Sequence, residues 1–412
     1  MIVGGGAAGL ATAIFCARAA TGRHVVCVDG ARSVGAKILV SGGARCNVTN
    51  LVVTERDFWG GDTRIVRGVL RAFPSHRAVA LFDELGVPLH EEEDGKLFPD
   101  TNRARTVLDA LVRELERAGG MLHTSRRVVT LTRADGRFTL ETTAGVSYEA
   151  EVVALATGGR SLPKSGSDGA GYELARRVGH GYVETTPALV PLLLDDSNHQ
   201  RLAGVTHAAE IVLRVRGRIA IRLTGSMVWT HFGASGPLVL DASRHWLRAR
   251  LEDVAPQVFL NLLPGEAFES VDEWMRDQAR QRPRASVRGV LASRLPAAVA
   301  DAWLDTVQVD GATTMAHLER ESRRHLVRGL VETPLAVRDS RGYNYAEVTA
   351  GGIPLTEVDP ATLESRVCPG LFLTGEMLDV DGRLGGFNFQ WAWSSAWVAA
   401  SGIARRLAVA RP

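Results

Sequence analysis

"MIVGGGAAGLATAIFCARAATGRHVVCVDGA", residues 1–31, decides the fold. Ile2 and Val3 are apolar, Gly4 to Gly9 form a glycine-rich turn, and small residues from about Ala7 to Ala20 predict a helix. The apolar run Val25 to Val28 then predicts a second strand, which completes a βαβ unit. The glycines follow the spacing Gly4-x-Gly6-x-x-Gly9, and the acidic Asp29 ends the second strand twenty residues after Gly9. Each position has a physical task. Gly4 permits the tight turn, Gly6 lets backbone approach a pyrophosphate, and Gly9 lets the helix lie close to the strand. The helix start at Ala7 and Ala8 points free amides at the anion, and Asp29 is placed to accept hydrogen bonds from an adenosine ribose.

Outward from that unit the chain reads as α/β, a doubly wound Rossmann-type domain interrupted by insertions. The amphipathic pattern from Arg105 to Ala118 predicts a surface helix. Residues 126–159 alternate in strand fashion around Asp135-Gly136 and Ala144-Gly145, which predicts a small antiparallel sheet returning to the main one. The apolar strand Val152 to Ala156 ends in a second backbone-exposing turn, Thr157-Gly158-Gly159. Residues 188–264 carry short β-rich runs that predict an inserted β-barrel-like domain, and 265–331 read as a helical subdomain. The nucleotide domain is then discontinuous, 1–187 plus 332–412.

Composition bounds the function class. The 412 residues are 45% hydrophobic and 23% charged, an ordinary globular mixture, and no run approaches the roughly 18 apolar residues of a membrane span. Met1 runs directly into the first strand without a charged leader or cleavage site, so a cytoplasmic protein is expected. Four scattered cysteines, Cys16, Cys27, Cys46 and Cys368, suggest neither a disulfide framework nor a metal site. Net charge is +2, and the most basic stretch, Arg276 to Arg294, is interrupted by acids, so nucleic acid is not the expected partner.

The C-terminal segment narrows the cofactor to FAD. A late apolar strand, Leu371 to Thr374, ends in Gly375-Glu376, which brings the chain back beside the pyrophosphate and ribityl chain. Gly385-Gly386 then open a helix whose first amides can face the flavin's pyrimidine edge, where reduction places negative charge. Asn388, Phe389 and Gln390 are the residues expected there. Earlier in the chain, "SGGARCNVTN" (41–50) reads as a second cofactor-wrapping loop. Gly42 and Gly43 would allow backbone amides near the cofactor, Arg45 and Asn47 would supply directed donors, and Thr49 and Asn50 would secure the loop's own turn.

Six stretches together resemble the bacterial aminoacetone-oxidase-like, BaiN-type family of NAD(P)/FAD-dependent oxidoreductases. They are "GGGAAGLATA" (4–13), "GAKILVSGGARCNVTN" (35–50), "LATGGRSLPKSGSDGAGYELARRVGH" (155–180), "TPALVPL" (186–192), "TGSMVWTHFGASGP" (224–237) and "GLFLTGEMLDVDGRLGGFNFQWAWSSAW" (370–397). The resemblance runs almost the whole chain in order. It implies FAD contacts at Gly6, Ala8, Gly9, Asp29, Lys37, Gly42 to Asn47, Val128 through its backbone, Asp379, Asn388 and Gln390. The chain departs from the family pattern at Ala44, where glycine is usual, and at Phe387-Asn388-Phe389, where Tyr-Asn-Leu is usual.

The expected activity is hydride transfer between flavin N5 and a small organic substrate, with Arg45 as clamp or flavin tuner and His231 as proton donor or orienter. Glu376 reads as a structural carboxylate binding ribityl hydroxyls. Cys46 beside Arg45 invites a thiolate, yet no resolving cysteine lies near it in sequence. No second Gly-x-Gly-x-x-Gly unit is present, so NAD(P)H would visit transiently. Two alternatives stay open: a flavoprotein that binds or modifies RNA, and a non-catalytic FAD-binding sensor. Oligomeric state is left open.

Overall fold

Five short parallel strands make the central sheet, in the order Leu371–Leu373, Val153–Leu155, Ile2–Val3, Val26–Val28, Met121–His123. The computed structural model describes residues 1–19, 22–195, 198–252 and 255–409. The expected helix end at Ala20 lies outside the described residues; the helix runs Ala7–Arg18. A parallel sheet needs cover on both faces, and its strands read as apolar runs for that reason. Ile2, Val3, Cys27, Val28, Val153, Ala154, Leu155 and Leu371 to Leu373 are all buried. The chain divides into two compact units, Met1–Pro187 with Ala346–Pro412, and Ala188–Tyr345.

In the first unit, Ala7–Arg18 packs against the closing helix Phe387–Val409 and against Ala104–Arg117. Small residues on one helix let the aromatic residues of the other come close. Trp391 and Trp393 are fully buried, and Phe15 meets Trp397 edge-on at 5.1 Å. The alternating segment forms the expected three-stranded antiparallel sheet, Val128–Ala134, Arg137–Thr142 and Ser147–Ala150. Its first turn carries positive φ at Asp135 (50°) and Gly136 (78°), the geometry a two-residue hairpin loop demands.

The second unit holds a seven-stranded antiparallel sheet in the order Thr333–Leu335, Gln257–Asn261, Thr206–Val215, Arg218–Thr230, Gly233–Ser235, Leu192–Leu194, Val337–Ser340. This order is open, so the strands do not assign the barrel expected for 188–264. Both outer strands come from residues 333–340, which the sequence reading had placed with the nucleotide domain. Only Ala336 separates them in the chain. That pairing moves 332–345 into the second unit. The helices do not form a unit of their own either. Phe268–Gln281 packs on Arg320–Val331, and the Leu262 amide donates to the Leu330 carbonyl at 2.8 Å, binding helices and sheet together. No helix among the described residues is long and apolar enough to cross a membrane.

One buried polar tie in the first unit had no sequence signal. His180 sits fully buried, its Nδ1 2.7 Å from Glu357 and its Nε2 2.8 Å from the Ser365 hydroxyl. Replacing His180 with alanine removes one partner from each, leaving Glu357 the Gly181 amide and Ser365 the Val367 and Cys368 amides, and opens a cavity where the buried ring stood. We expect His180→Ala to lower the unfolding free energy by about 2–3 kcal/mol, measured by urea titration of tryptophan fluorescence. A loss under about 1 kcal/mol would show that the tie contributes no more than an ordinary hydrogen bond.

Candidate cofactor site

The four glycine-turn positions divide into three that are packed and one that is open. Gly4 has φ of 108°, and a Cβ there would lie 2.4 Å from the Ala156 carbonyl oxygen. A Cβ on Gly9 would lie 1.7 Å from the Gly4 carbonyl oxygen, and one on Gly5 would lie 2.6 Å from the Val34 side chain. Gly6 has nothing within 4 Å of its would-be Cβ. Gly6 is also the N-cap of Ala7–Arg18, with extended backbone and no side chain capping the first turn. The unsatisfied amides of that turn, beginning at Ala7 and Ala8, therefore lie beside open space and carry the positive end of the helix dipole. Asp29 is held at the neighbouring strand end by the amides of Gly5 (2.6 Å) and Ala31 (2.7 Å). A carboxylate has about four lone-pair sites, so two held positions leave acceptor capacity for ribose hydroxyls. Together these residues fit a dinucleotide.

Two further turns close on this one. Gly375, with φ of 70°, lies over the first helical turn, its would-be Cβ 2.6 Å from the Ala8 methyl, and its amide donates to Ser395 at 3.0 Å. Thr157 and Gly158 (φ 73°) follow Val153–Leu155 and stay partly exposed. Val128 is buried at the start of its strand.

Lys37 and Glu376 meet each other directly. Lys37 Nζ lies 2.5 Å from Glu376 Oε2 and 2.6 Å from the Ser161 hydroxyl. Glu376 Oε1 accepts from Ser161 Oγ (2.8 Å) and the Thr349 amide (2.9 Å), and the Thr349 hydroxyl accepts from the amides of Arg160 and Ser161. Four chain segments converge on one carboxylate. Both of its oxygens are engaged by protein, which makes Glu376 a hub that joins these segments. Ser161 and Thr349 escaped the sequence reading, because they lie 188 residues apart and leave no spacing to detect.

The "SGGARCNVTN" loop is left-handed at Gly42, Gly43, Ala44 and Cys46, with φ from 54° to 68°. For Ala44 and Cys46 that conformation costs of order 1 kcal/mol each, which explains why glycine suits position 44. Arg45 has protein partners. Its guanidinium is taken by Glu92 (2.5 Å) and lies 4.2 Å over the Phe98 ring, so the partner of the expected clamp is the acidic hairpin 89–99. Burial pushes the Cys46 thiol up to about 12, outweighing the lowering hydrogen bond from Ser41, and removes the thiolate hypothesis.

The rest of the loop serves the C-terminal helix. With its amide oriented to satisfy both ends, Asn47 accepts from the Gly386 amide (3.1 Å) and donates to the Thr49 and Leu97 carbonyls. Asn50 donates to the Gly385 carbonyl at 3.1 Å, and Thr49 donates to Gln390 at 2.6 Å. Thr49 and Asn50 thus bridge segments, and Asn50 also secures the local turn the sequence suggested by accepting from the Val52 amide at 3.3 Å. Gln390 is wholly buried and also donates to the Phe73 carbonyl and Ser394. Asn388 pairs both its amide atoms with the Gly382 backbone (2.8 and 2.9 Å), and Phe389 stacks on Trp393. The side chains of Asn47, Asn388 and Gln390 thus position the helix start. Asp379 is buried, and its carbonyl receives the Gly61 amide at 2.7 Å.

His231 belongs to the second unit, exposed and edge-on to Phe232 at 5.1 Å between centroids. Among the described residues no group of three or more His, Cys, Asp or Glu side chains could hold a metal ion.

The sequence matches one protein family, described as "HI0933-like protein Rossmann domain", over residues 1–402. The 3-dehydro-bile acid delta(4,6)-reductase of Clostridium scindens is 33% identical over 405 residues, which cover 98% of each chain. The ribosomal RNA dihydrouridine synthase of Escherichia coli is 33% identical over 408 residues, 98% of this chain and 97% of that one. Among solved structures, a mutant of the E. coli quinol fumarate reductase FrdA gives a TM-score of 0.50 at 17% identity, covering all of this chain and 70% of that one. That likeness speaks to fold alone.

Two outcomes test this geometry. Gly6→Ala should fold with an unchanged melting temperature yet hold FAD at least about tenfold more weakly, since one methyl enters the space a pyrophosphate needs; Gly9→Ala should fail to fold stably. Equal behaviour of the two variants in calorimetry and flavin titration would contradict the division of roles. In the folded protein at pH 8, with its thiol near 12, Cys46 should resist alkylation that goes to completion in denaturant. Rapid labelling of native Cys46, read by mass spectrometry, would contradict its burial.

Proposed function

The chain belongs to the HI0933-like Rossmann family, the aminoacetone-oxidase-like group of FAD-binding oxidoreductases, and on that premise we propose that it reduces a carbon–carbon double bond conjugated to a carbonyl. The observation that carries this reading is the uncapped helix start at open Gly6 beside the held Asp29 carboxylate. It is joined by what the names of the relatives share. A delta(4,6)-reductase of a 3-dehydro bile acid and a dihydrouridine synthase both saturate a ring double bond in a carbonyl-bearing ring.

Bound FAD supplies hydride exchange at N5 with a substrate carbon. In this reading the first-turn amides around Ala7 and Ala8 hold the pyrophosphate, and Asp29 accepts from the adenosine ribose. The Glu376 hub keeps the Lys37, Ser161 and Thr349 segments in one arrangement, and its pairing with Lys37 limits stray charge near the cofactor. Arg45, spent on Glu92 and Phe98, secures its loop. We assign the proton for the carbon next to the carbonyl to His231, whose imidazole is exposed. NADPH or NADH reduces the enzyme as a transient visitor, in the cytoplasm.

A second reading concerns how the substrate is presented. The ribosomal RNA dihydrouridine synthase matches over nearly its whole length, so the conjugated ring is as well a uracil within RNA as a free small molecule.

The test is anaerobic. The purified protein should be yellow, bleach with NADH or NADPH, and regain colour with a cyclic enone, a 4-en-3-one steroid or a uridine-containing RNA. Colourless protein that takes up no added FAD would sink the reading. So would reduced protein that none of these acceptors reoxidises.

A further inference from the structure

The arginines of the second unit divide sharply by partner. In the stretch that looks most basic in sequence, Arg276 meets Asp272, Arg280 meets Asp277, Arg288 meets Asp301, and Arg294 meets Glu266, while Arg282 and Arg284 have no acidic partner among the described residues. The long hairpin formed by Thr206–Val215 and Arg218–Thr230 differs in having few acids near its arginines. From residue 211 to residue 240 the chain contains no acidic residue, yet it carries Arg214, Arg216, Arg218 and Arg222. Two of these are matched: Arg214 to Glu332 at 2.6 Å, and Arg222 to Glu210 at 2.5 Å. Arg216 and Arg218, flanking Gly217 at the tip, have no acidic partner among the described residues.

The tip is also bare on both faces. Residues 216 to 220 are all exposed, including Ile219 at 53%, and the exposed face continues through Arg222, Thr224 and Ser226 with the two-residue period of a strand. Backbone there is left-handed at Arg216 (53°) and Gly217 (74°), which makes a tight reversal between the two arginines. Exposed charge without a partner raises the local potential, and guanidinium forks match phosphate oxygens better than ammonium groups do. The second unit holds no lysine at all; Lys37, Lys96 and Lys164 lie in the first.

We propose that this hairpin tip is a phosphate-binding finger that holds an RNA substrate, with Arg216 and Arg218 as backbone contacts. The inference rests on the RNA reading given above and adds the element that would carry affinity. Contacts of this kind position a strand without reading its sequence, so the tip would hold RNA while another part of the protein selects the base.

The experiment uses full-length protein loaded with FAD and a fluorescein-labelled, uridine-containing RNA stem-loop, followed by anisotropy from 50 to 200 mM salt. The wild type should bind with an affinity that falls as salt rises. Arg216→Ala/Arg218→Ala should bind about tenfold more weakly at low salt, with a log–log salt slope shallower by about 2. Its melting temperature and flavin spectrum should match the wild type, because these side chains have no ion pair to lose. If the double variant binds RNA with wild-type affinity and slope, the finger is wrong and the RNA reading survives. If the wild type does not bind RNA even at 50 mM salt, the RNA reading falls and takes the finger with it, while reduction of small enones is judged separately. If polyglutamate displaces the RNA as well as unlabelled RNA does, an acidic protein surface replaces RNA as the partner and the proposal is overturned.

Discussion

The close approach of Gly9 to the Gly4 carbonyl is the contact on which the rest of the first unit depends. A methyl at position 9 would sit 1.7 Å from that oxygen, so only glycine lets Ala7–Arg18 lie against Ile2–Val3. Once the helix is down, its buried face can meet Phe387–Val409 on one side and Ala104–Arg117 on another. The same contact brings the uncapped helix start to the end of the sheet. Gly375 and the 157–158 turn then close over it, because the parallel strands deliver their C-terminal ends to one edge.

Around that start, charge is managed by pairing. Glu376 takes Lys37, Ser161 and the Thr349 amide, and Arg45 is held by Glu92 and Phe98. A partly buried carboxylate with that many donors is satisfied where it sits, whereas the same group alone would resist burial. Aromatic packing sets the remaining positions. Phe389 on Trp393, and Trp391 donating to the Gly375 carbonyl, fix the closing helix against the glycine turn.

Much of this was legible locally. The glycine spacing with Asp29, the hairpin signals at Asp135-Gly136 and Gly145, and the amphipathic run that became Ala104–Arg117 each depend on residues close in sequence, where period and turn chemistry act directly. Partnership was not legible. Gln390 reads as a residue of the helix start at the flavin's pyrimidine edge, and only the fold shows its side chain buried between Thr49, Phe73 and Ser394. Arg45 reads as a directed donor of its loop, and only the fold brings up the hairpin that holds Glu92. Residues 332–345 read as the return to the nucleotide domain, because strand pairing with 257–261 and 192–194 has no local signature.

The sequence by itself determined the βαβ start, its cofactor class and the sites where backbone must be bare, since those follow from φ, side-chain volume and short-range spacing. Tertiary structure alone decided which polar groups are spent and which remain available. Lys37, Arg45, Asn47 and Gln390 are engaged by residues as many as 341 positions away, while Arg216 and Arg218 have no acidic partner among the described residues. The reason is physical. A hydrogen bond or ion pair needs two groups within about 3 Å, and distance along the chain says nothing about that separation until the core has folded.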